Sequence, residues 1–535
     1  MLPEKTRQTI TALWDTVSAA GLAPTPYIAI EQIACLMFLR KLECESHFID
    51  DLLLFDGQPC TWTVIEQQSD PGHYLKDVVF PWLRTLEQRF VEHFPHTQFP
   101  ILNGLLDDAY FQLDVSKRQT LTSVIDLVGQ LFPSDGPELE TSAGEIFEAL
   151  VEQALHRRSR EQTITPRHLT RFMVALVEPK INSRIIDPAA GPGNHLTSAL
   201  RYISNDYGKP PRDLMGGHFV GVDLDYAMAR VGWINLYLHG VRQPAFVQGD
   251  AYSGRVGKLN LVSDVFNQNS YDHVISNAPW GVTVESDAME DLGYARGAEK
   301  FGRTLDGELL FLWRSLDLLK VGGRAALVVS QKVLSSKSPS YLQWRRELLT
   351  SHYVEAIILL PYNAFKPLAN TRVAVLVFRK HGTHDAEQPV SDAVWFYETG
   401  VDNENDLWDA RVHFYHRKQG QEFWAQNKEK YYQPRVSSTE SPYITDFDIR
   451  QPVDSIKAPR ARQWLVPVRQ LIGNELNPDC IEGADWSLEI DRYRPIVQPE
   501  ATDVVSVMAL IDELADTQTA ILKRLEHLRT LVENR

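Results

Sequence analysis

Two short segments hold residue types suited to one reaction. Ile275-Ser276-Asn277-Ala278-Pro279-Trp280 closes an apolar run and supplies a side-chain amide, a stiff turn and an aromatic face. An aromatic amine is a weak nucleophile because its lone pair is delocalised into the ring. Two fixed acceptors on its N–H groups favour a tetrahedral nitrogen, an electrostatic preorganisation that needs no strong base. Asn277 offers a side-chain oxygen and Ala278 a backbone carbonyl. Pro279 stiffens the turn, and Trp280 presents a face on which a flipped-out base can stack. Stacking of that kind contributes about 1–3 kcal/mol per base. A strand-ending turn with a buried tryptophan would carry the same four residues.

The second segment, Asp187-Pro188-Ala189-Ala190-Gly191-Pro192-Gly193-Asn194, is a glycine-rich turn after another apolar run. Its glycines permit positive φ and close backbone approach to a ligand. An ordinary tight turn would do the same, but two further acids point to a nucleoside. Asp223 closes Phe219-Val220-Gly221-Val222-Asp223, where a carboxylate can accept from ribose hydroxyls. Asp250 closes Val247-Gln248-Gly249-Asp250, where one can reach an adenine amine. No Walker-type Gly-Lys-Ser/Thr stands there, which disfavours a phosphate loop. Together the segments describe a site that holds a nucleoside cofactor and presents an amine to it. Amino-group methylation from S-adenosylmethionine needs that arrangement.

A doubly wound sheet would bring these segments to one edge. From about residue 141, short Val/Ile/Leu-rich runs alternate with helical segments. Strands are expected at 184–186, 218–222, 245–248, 273–276, 324–329, 354–360 and 372–378, with helices at 227–238 and 308–320. Residues 1–140 read as an all-α domain. Ile10, Leu13, Trp14 and Val17 share one helical face, and Ile33, Leu36, Met37 and Leu39 continue the pattern. Pro133-Ser134-Asp135-Gly136-Pro137 is the expected linker. Residues 281–306 form a polar, glycine-punctuated loop, expected to order on DNA or substrate. Residues 381–500 are mixed, with no assignable fold. In 501–535, Val507, Ile511, Leu514, Gln518, Ile521, Leu525, Leu528 and Val532 recur at steps of four and three. That spacing fits a coiled-coil seam or a long helix packed on its own domain.

Composition narrows the class. At 535 residues the chain exceeds one core. Hydrophobic residues at 44% and charged ones at 23% fit an ordinary soluble globular protein. No apolar run reaches the length of about eighteen that a transmembrane helix needs. Met1-Leu2-Pro3-Glu4-Lys5 lacks a signal peptide's apolar core, so a cytoplasmic protein is expected. Cys35, Cys44, Cys60 and Cys480 form neither a CxxC pair nor a zinc spacing, and no metal site is expected. A formal net charge of -16 predicts poor grip on duplex DNA by the chain alone. Either the substrate is not nucleic acid, or a partner supplies the grip.

On these motifs the chain resembles the adenine-N6 DNA methyltransferases, and within them the modification subunits of type I restriction–modification systems. The likeness runs over about residues 141–380, with echoes at both ends. Gly144-Glu145-Ile146-Phe147-Glu148, followed by Thr163-Ile164-Thr165-Pro166-Arg167, looks like the family's segment leading into the sheet. Asp187–Gly193 matches its DPACGTG-like loop, Asp223 its ribose-binding acid and Asn277–Trp280 its NPPF motif. Gly322-Gly323-Arg324, Leu360-Pro361 with Phe365, and Trp486-Ser487-Leu488 with Arg492-Tyr493 fit the downstream pattern.

The resemblance implies a Rossmann-like, S-adenosylmethionine-dependent methyltransferase domain acting on the N6 amine of a flipped-out adenine. Gln162, Thr165, Pro166 and Arg167 would lie at the cofactor's methionine end. Asp187, Ala189, Gly191, Pro192, Gly193, Asn194, Asp223 and Asp250 would surround the rest of the cofactor. It also implies a DNA-specificity subunit docked on the 501–535 helix, a restriction nuclease subunit, and DNA held mainly through the complex. Two departures stand out. Ala278 and Trp280 replace proline and Phe or Tyr, and Pro192-Gly193-Asn194 replaces Thr-Gly-Gly, removing one backbone N–H. Two other functions share these motifs: methylation of a protein or RNA amine or amide, and a non-catalytic cofactor-binding scaffold in a defence complex. Among basic residues, Lys332, Lys337, Arg345 and Arg346 are expected to line a DNA channel. His156-Arg157-Arg158-Ser159-Arg160 fits either a phosphate contact or a solvated helix end.

Overall fold

The computed structural model describes residues 2–44, 53–93, 104–132, 139–158, 165–214, 218–241, 244–257, 261–262, 264–285, 304–361, 364–365, 372–382, 390–391, 393–399, 463–472, 486–493 and 518. The expected linker at 133–137, Gln162, residues 286–303, and the expected helix at 501–535 apart from Gln518 lie outside the described residues.

The leading helices include α1 (Glu4–Ala19), α2 (Pro26–Cys44), α3 (Arg118–Leu131) and α4 (Leu139–Arg158). Next come α5 (Arg167–Val177), β1 (Ile185–Asp187), α6 (Asn194–Tyr207), β2 (Phe219–Asp223), α7 (Tyr226–Leu238) and β3 (Ala245–Asp250). The short β4 (Arg255–Val256) and β5 (Leu261–Val262) precede β6 (Tyr271–Asn277), α8 (Gly307–Leu318), β7 (Leu319–Ser330) and α9 (Pro339–Ser351). The series closes with β8 (Tyr353–Leu359), β9 (Val373–Arg379), β10 (Ala393–Glu398) and β11 (Gln463–Pro467).

These strands form one sheet in the order β11-β10-β8-β9-β7-β6-β1-β2-β3-β4-β5. From β3 through β2, β1 and β6 to β7 all neighbours are parallel, and β9 runs antiparallel between β7 and β8. Chain order reverses at β1, with β2 on one side and β6 on the other. The carboxyl ends of β1 and β6 therefore flank a switch point, where such sheets bind ligands. Successive residues point to opposite layers. Ile275, Ala326 and Val328 join the core under α5, α6 and α7, while Val274, Ala325 and Leu327 join the core under α8 and α9.

The N-terminal helices are built onto the first of these faces. Helix α1 buries Ile10, Leu13, Trp14 and Val17, the face its spacing sets. Helix α2 instead buries every residue from Ile33 to Leu39, because it lies among α3, α4 and α7. Buried polar contacts fix the junction. Arg230 of α7 pairs with Glu31 of α2 and, at 2.7 Å, with Asp108, and its Nε donates to the Leu105 carbonyl at 2.6 Å. Lys41 Nζ donates to the Tyr237 carbonyl at the end of α7, at 2.9 Å.

Two expectations need correction, and the region beyond residue 380, whose fold the sequence leaves open, adds strands to the sheet. The apolar run Ala-Val-Trp-Phe-Tyr of β10 pairs parallel with β8, and β11 adds a further strand. Ser487, Leu488, Ile490 and Tyr493 are buried, and the latter three join the core under α8 and α9. The 281–306 segment is not loop throughout, since Thr283–Glu285 pairs antiparallel with Thr304–Asp306. Strand β7 begins at Leu319 rather than 324, with a register shift against β6 between Leu319 and Arg324. No helix among the described residues is long and apolar enough to cross a membrane.

Candidate active site

Strand β1 ends in Asp187 and the chain turns at once into the glycine loop before α6. Gly191 adopts φ 52° and Gly193 φ 81°, left-handed backbone that a side chain would strain. A methyl group added at Gly191 would meet nothing within 4 Å, so the loop borders open space there. Neighbouring elements hold the loop. Ala190 N–H donates to the Val222 carbonyl at 2.8 Å, and Gly191 N–H donates to Asp223 Oδ2 at 2.8 Å. Pro192 contributes its carbonyl, which accepts from Asn235 Nδ2 of α7 at 2.8 Å.

The three aspartates occupy different environments. Asp223 Oδ1 also accepts from Asp225 N–H at 2.9 Å, which leaves each carboxylate oxygen a further acceptor site. Burial pushes this carboxyl up to about 6, against the pull of the Asp225 and Gly191 amides. Beside it Leu224 is 67% exposed. Nothing in the sequence marks Leu224, since an apolar residue directly after a strand reads as core. Asp250 accepts from its own turn, Tyr252 N–H at 2.9 Å and Ser253 N–H at 3.3 Å. Asp187 is fully buried. Its Oδ1 accepts from Ser276 Oγ at 2.6 Å and Ala189 N–H at 3.1 Å, and its Oδ2 faces His195 Nδ1 at 2.7 Å.

Asn277 closes β6 in register with Val328 of β7, and Ala278 N–H donates to the Val328 carbonyl at 3.2 Å. Asn277 Oδ1 and Trp280 Nε1 are buried without a hydrogen-bond partner among the described residues. The Trp280 ring meets Phe365 edge-on, with centroids 5.3 Å apart and planes at 88°. Gly307 N–H at the start of α8 donates to the Val282 carbonyl at 2.7 Å and ties down the chain after the turn. Asp306 caps α8 by accepting from Glu308 N–H at 3.0 Å and pairs with Lys332. Glu308 is buried and accepts both the N–H and the hydroxyl of Ser330 at 2.6 Å. Burial pushes the Glu308 carboxyl up to about 7 despite those bonds.

Thr165 and Pro166 lead into α5, which opens at Arg167 and packs beside α6. Thr165 is buried, and Arg167 Nη2 lies 2.9 Å from Glu148 Oε2. Glu148 also pairs with Arg201 of α6 at 2.9 Å and with His239 at 3.2 Å. Burial works to raise the Glu148 carboxyl, but His239 and Arg167 hold it down at about 2. The folded group therefore stays ionised to lower pH than the unfolded one, near 4.5. Its contribution to stability is complete above pH 4.5 and fades as pH falls toward about 2. Glu148→Gln is expected to lower the melting temperature at pH 7, with the gap to wild type closing through that window. A gap independent of pH would contradict this.

The expected DNA-channel residues divide. Arg345 is 1% exposed, and its nitrogens donate to the carbonyls of Trp486, Val333 and Ser336 at 2.7, 3.0 and 2.6 Å. It pins the 486–493 segment onto the domain and is withdrawn from the channel. Arg346 is exposed over the Trp486 ring, and Lys337 is exposed. The basic residues of the 281–306 segment, Arg296, Lys300 and Arg303, lie outside the described residues.

A parallel sheet with a glycine loop and an amide-bearing turn at one carboxyl edge defines a class, the doubly wound α/β proteins that bind ligands at a switch point. Within it, this chain belongs to the N-6 DNA methylase family, whose sequence pattern matches residues 140–455. Over 331 residues it is 26% identical to the methylase subunit of the type I restriction enzyme EcoEI of Escherichia coli, covering 61% of each chain. Over 299 residues it is 25% identical to the StySPI methylase subunit of Salmonella potsdam, covering 53% of this chain and 54% of that one. The match thus spans 61% and 54% of these relatives' lengths. A modification subunit of a putative type I restriction enzyme from Vibrio vulnificus shares the fold with a TM-score of 0.58. It is 17% identical over 88% of this chain and 95% of its own.

Proposed function

We propose that this protein transfers a methyl group from S-adenosylmethionine to N6 of a flipped-out adenine in DNA, as the modification subunit of a type I restriction–modification complex. What carries this is one buried acceptor, unpaired among the described residues, Asn277 Oδ1, at the tip of β6, three residues before Trp280 and next to Ser276, which bonds Asp187 at the start of the glycine loop. An orphaned acceptor is costly unless a ligand donor completes it, and an exocyclic amine is such a donor.

The residues fit the cofactor. The open flank of Gly191, the spare acceptor sites of Asp223 and the exposed Leu224 suit a nucleoside with its ribose hydroxyls and planar base. When bound, the cofactor supplies an electrophilic methyl that leaves sulfur for the amine nitrogen. Asn277 Oδ1 and the Ala278 carbonyl would hold the amine's two N–H groups, and the methylated nitrogen, positively charged once the new N–C bond forms, would then release its surplus proton to solvent. Trp280 stacks on the extruded base. Asp187 serves from inside the protein, because it is fully buried and its oxygens accept from Ala189, Ser276 and His195. The acidic net charge fits a subunit whose partner grips the DNA, with the 501–535 helix as the docking element and the cytoplasm as the working compartment.

The test is transfer of labelled methyl by the chain purified with its specificity partner. Label in DNA, lost in the Asn277→Ala protein, is expected. Label in protein or RNA alone would replace the substrate, and cofactor binding with no transfer would favour the scaffold.

A further inference from the structure

We propose that Ser276, Asp187 and His195 form a buried bridge through which occupancy of the glycine loop sets the position of Asn277. This rests on the cofactor-binding role proposed above. The three are positioning residues, and none needs to touch a ligand.

The geometry is specific. An ionised carboxylate has about four acceptor sites. Asp187 fills three of them with Ala189 N–H, Ser276 Oγ and His195 Nδ1, at 3.1, 2.6 and 2.7 Å, and is 0% exposed. It therefore has no open edge to offer a ligand. Two of its donors bracket the glycine loop, with Ala189 before Gly191 and His195 after Gly193. The third, Ser276, is bonded directly to Asn277. One carboxylate thus grips both ends of the cofactor loop and the residue beside the amine-binding amide. Hydrogen bonds to an ionised acceptor are short and directional, so movement of one anchor is passed to the others.

The imidazole carries a second sign of constraint. With Nδ1 facing the carboxylate, the ring's other nitrogen is Nε2. That atom is buried and has no partner among the described residues. A phenyl ring would fill similar space without an orphaned nitrogen, so what the imidazole adds at this position is its Nδ1 bond with Asp187.

Hydrogen exchange of the full chain, with and without S-adenosylhomocysteine, tests the bridge without relying on turnover. In wild type the ligand should slow exchange both in 188–196 and in 271–280. In Ser276→Ala and His195→Phe the slowing of 188–196 should persist, while that of 271–280 should drop by about fivefold or more, the usual scale of site-to-site coupling. His195→Asn, which keeps an N–H near the place of Nδ1, should restore it. In the complex, single-turnover methylation at saturating cofactor should fall at least about tenfold in the first two variants and recover in His195→Asn. Undiminished protection of 271–280 in folded Ser276→Ala and His195→Phe would overturn the bridge alone. Wild-type protein with no protection at 188–196 would overturn the cofactor-binding role, and the bridge with it.

Discussion

Asn277→Ala is expected to lower single-turnover methyl transfer by about 10²–10³-fold, the usual cost of deleting one preorganised hydrogen-bonding group at a reacting centre. Cofactor affinity should stay near wild type. Asn277 Oδ1 has no protein partner among the described residues, so its loss frees no other group and removes only the acceptor offered to the amine. The backbone around it is secured independently, by pairing with β7 and by the Ala278 N–H to Val328 carbonyl bond at 3.2 Å. The turn should therefore survive the substitution. Asn277→Asp keeps an acceptor in place and should lose less than the alanine variant. Rapid-quench kinetics with calorimetry of cofactor binding separates these effects. A rate loss below tenfold, or one matched by lost cofactor affinity, would contradict the role given to Asn277.

The largest stability effect should come from Arg230. Its guanidinium is 3% exposed and joins α7 to Glu31, Asp108 and the Leu105 carbonyl, all in the N-terminal region. Arg230→Ala leaves Glu31, whose side chain is 1% exposed, as an uncompensated buried charge. Breaking such a pair typically costs about 3–5 kcal/mol. Arg230→Met with Glu31→Gln removes both charges and should recover most of that loss. Urea unfolding, read together with hydrogen exchange in α2 and α7, checks both results. If the double variant were no more stable than Arg230→Ala, shape rather than charge would hold the two regions together.

Much of the sheet was legible because buried parallel strands are written as continuous Val/Ile/Leu runs. Ala245–Asp250 and Tyr271–Asn277 begin or end within a few residues of their expected limits. The two motif turns were legible for the same reason, since strand ends fix where Asp187, Asp223 and Asn277 emerge. What escaped was decided by tertiary partners. Residues 393–398 carry an apolar, aromatic run, but that it joins this sheet is decided by the edge of β8 with which it pairs. Helix α2 is buried all round, which a one-sided periodicity cannot announce. Arg345 and Arg346 are adjacent cations in sequence, yet the first is enclosed by three carbonyls and the second is exposed. The place of Asp187 at a strand end is legible in the sequence, but its bonds with Ser276 and His195 join residues from separate elements and are not.

The most direct test of the central claim is sequencing sensitive to N6-methyladenine in host genomic DNA, comparing a strain carrying this chain with one carrying Asn277→Ala. The account predicts that N6-methyladenine disappears from a split, two-part motif in the variant strain while the protein and its complex persist. Unchanged adenine methylation with the variant protein present would contradict it.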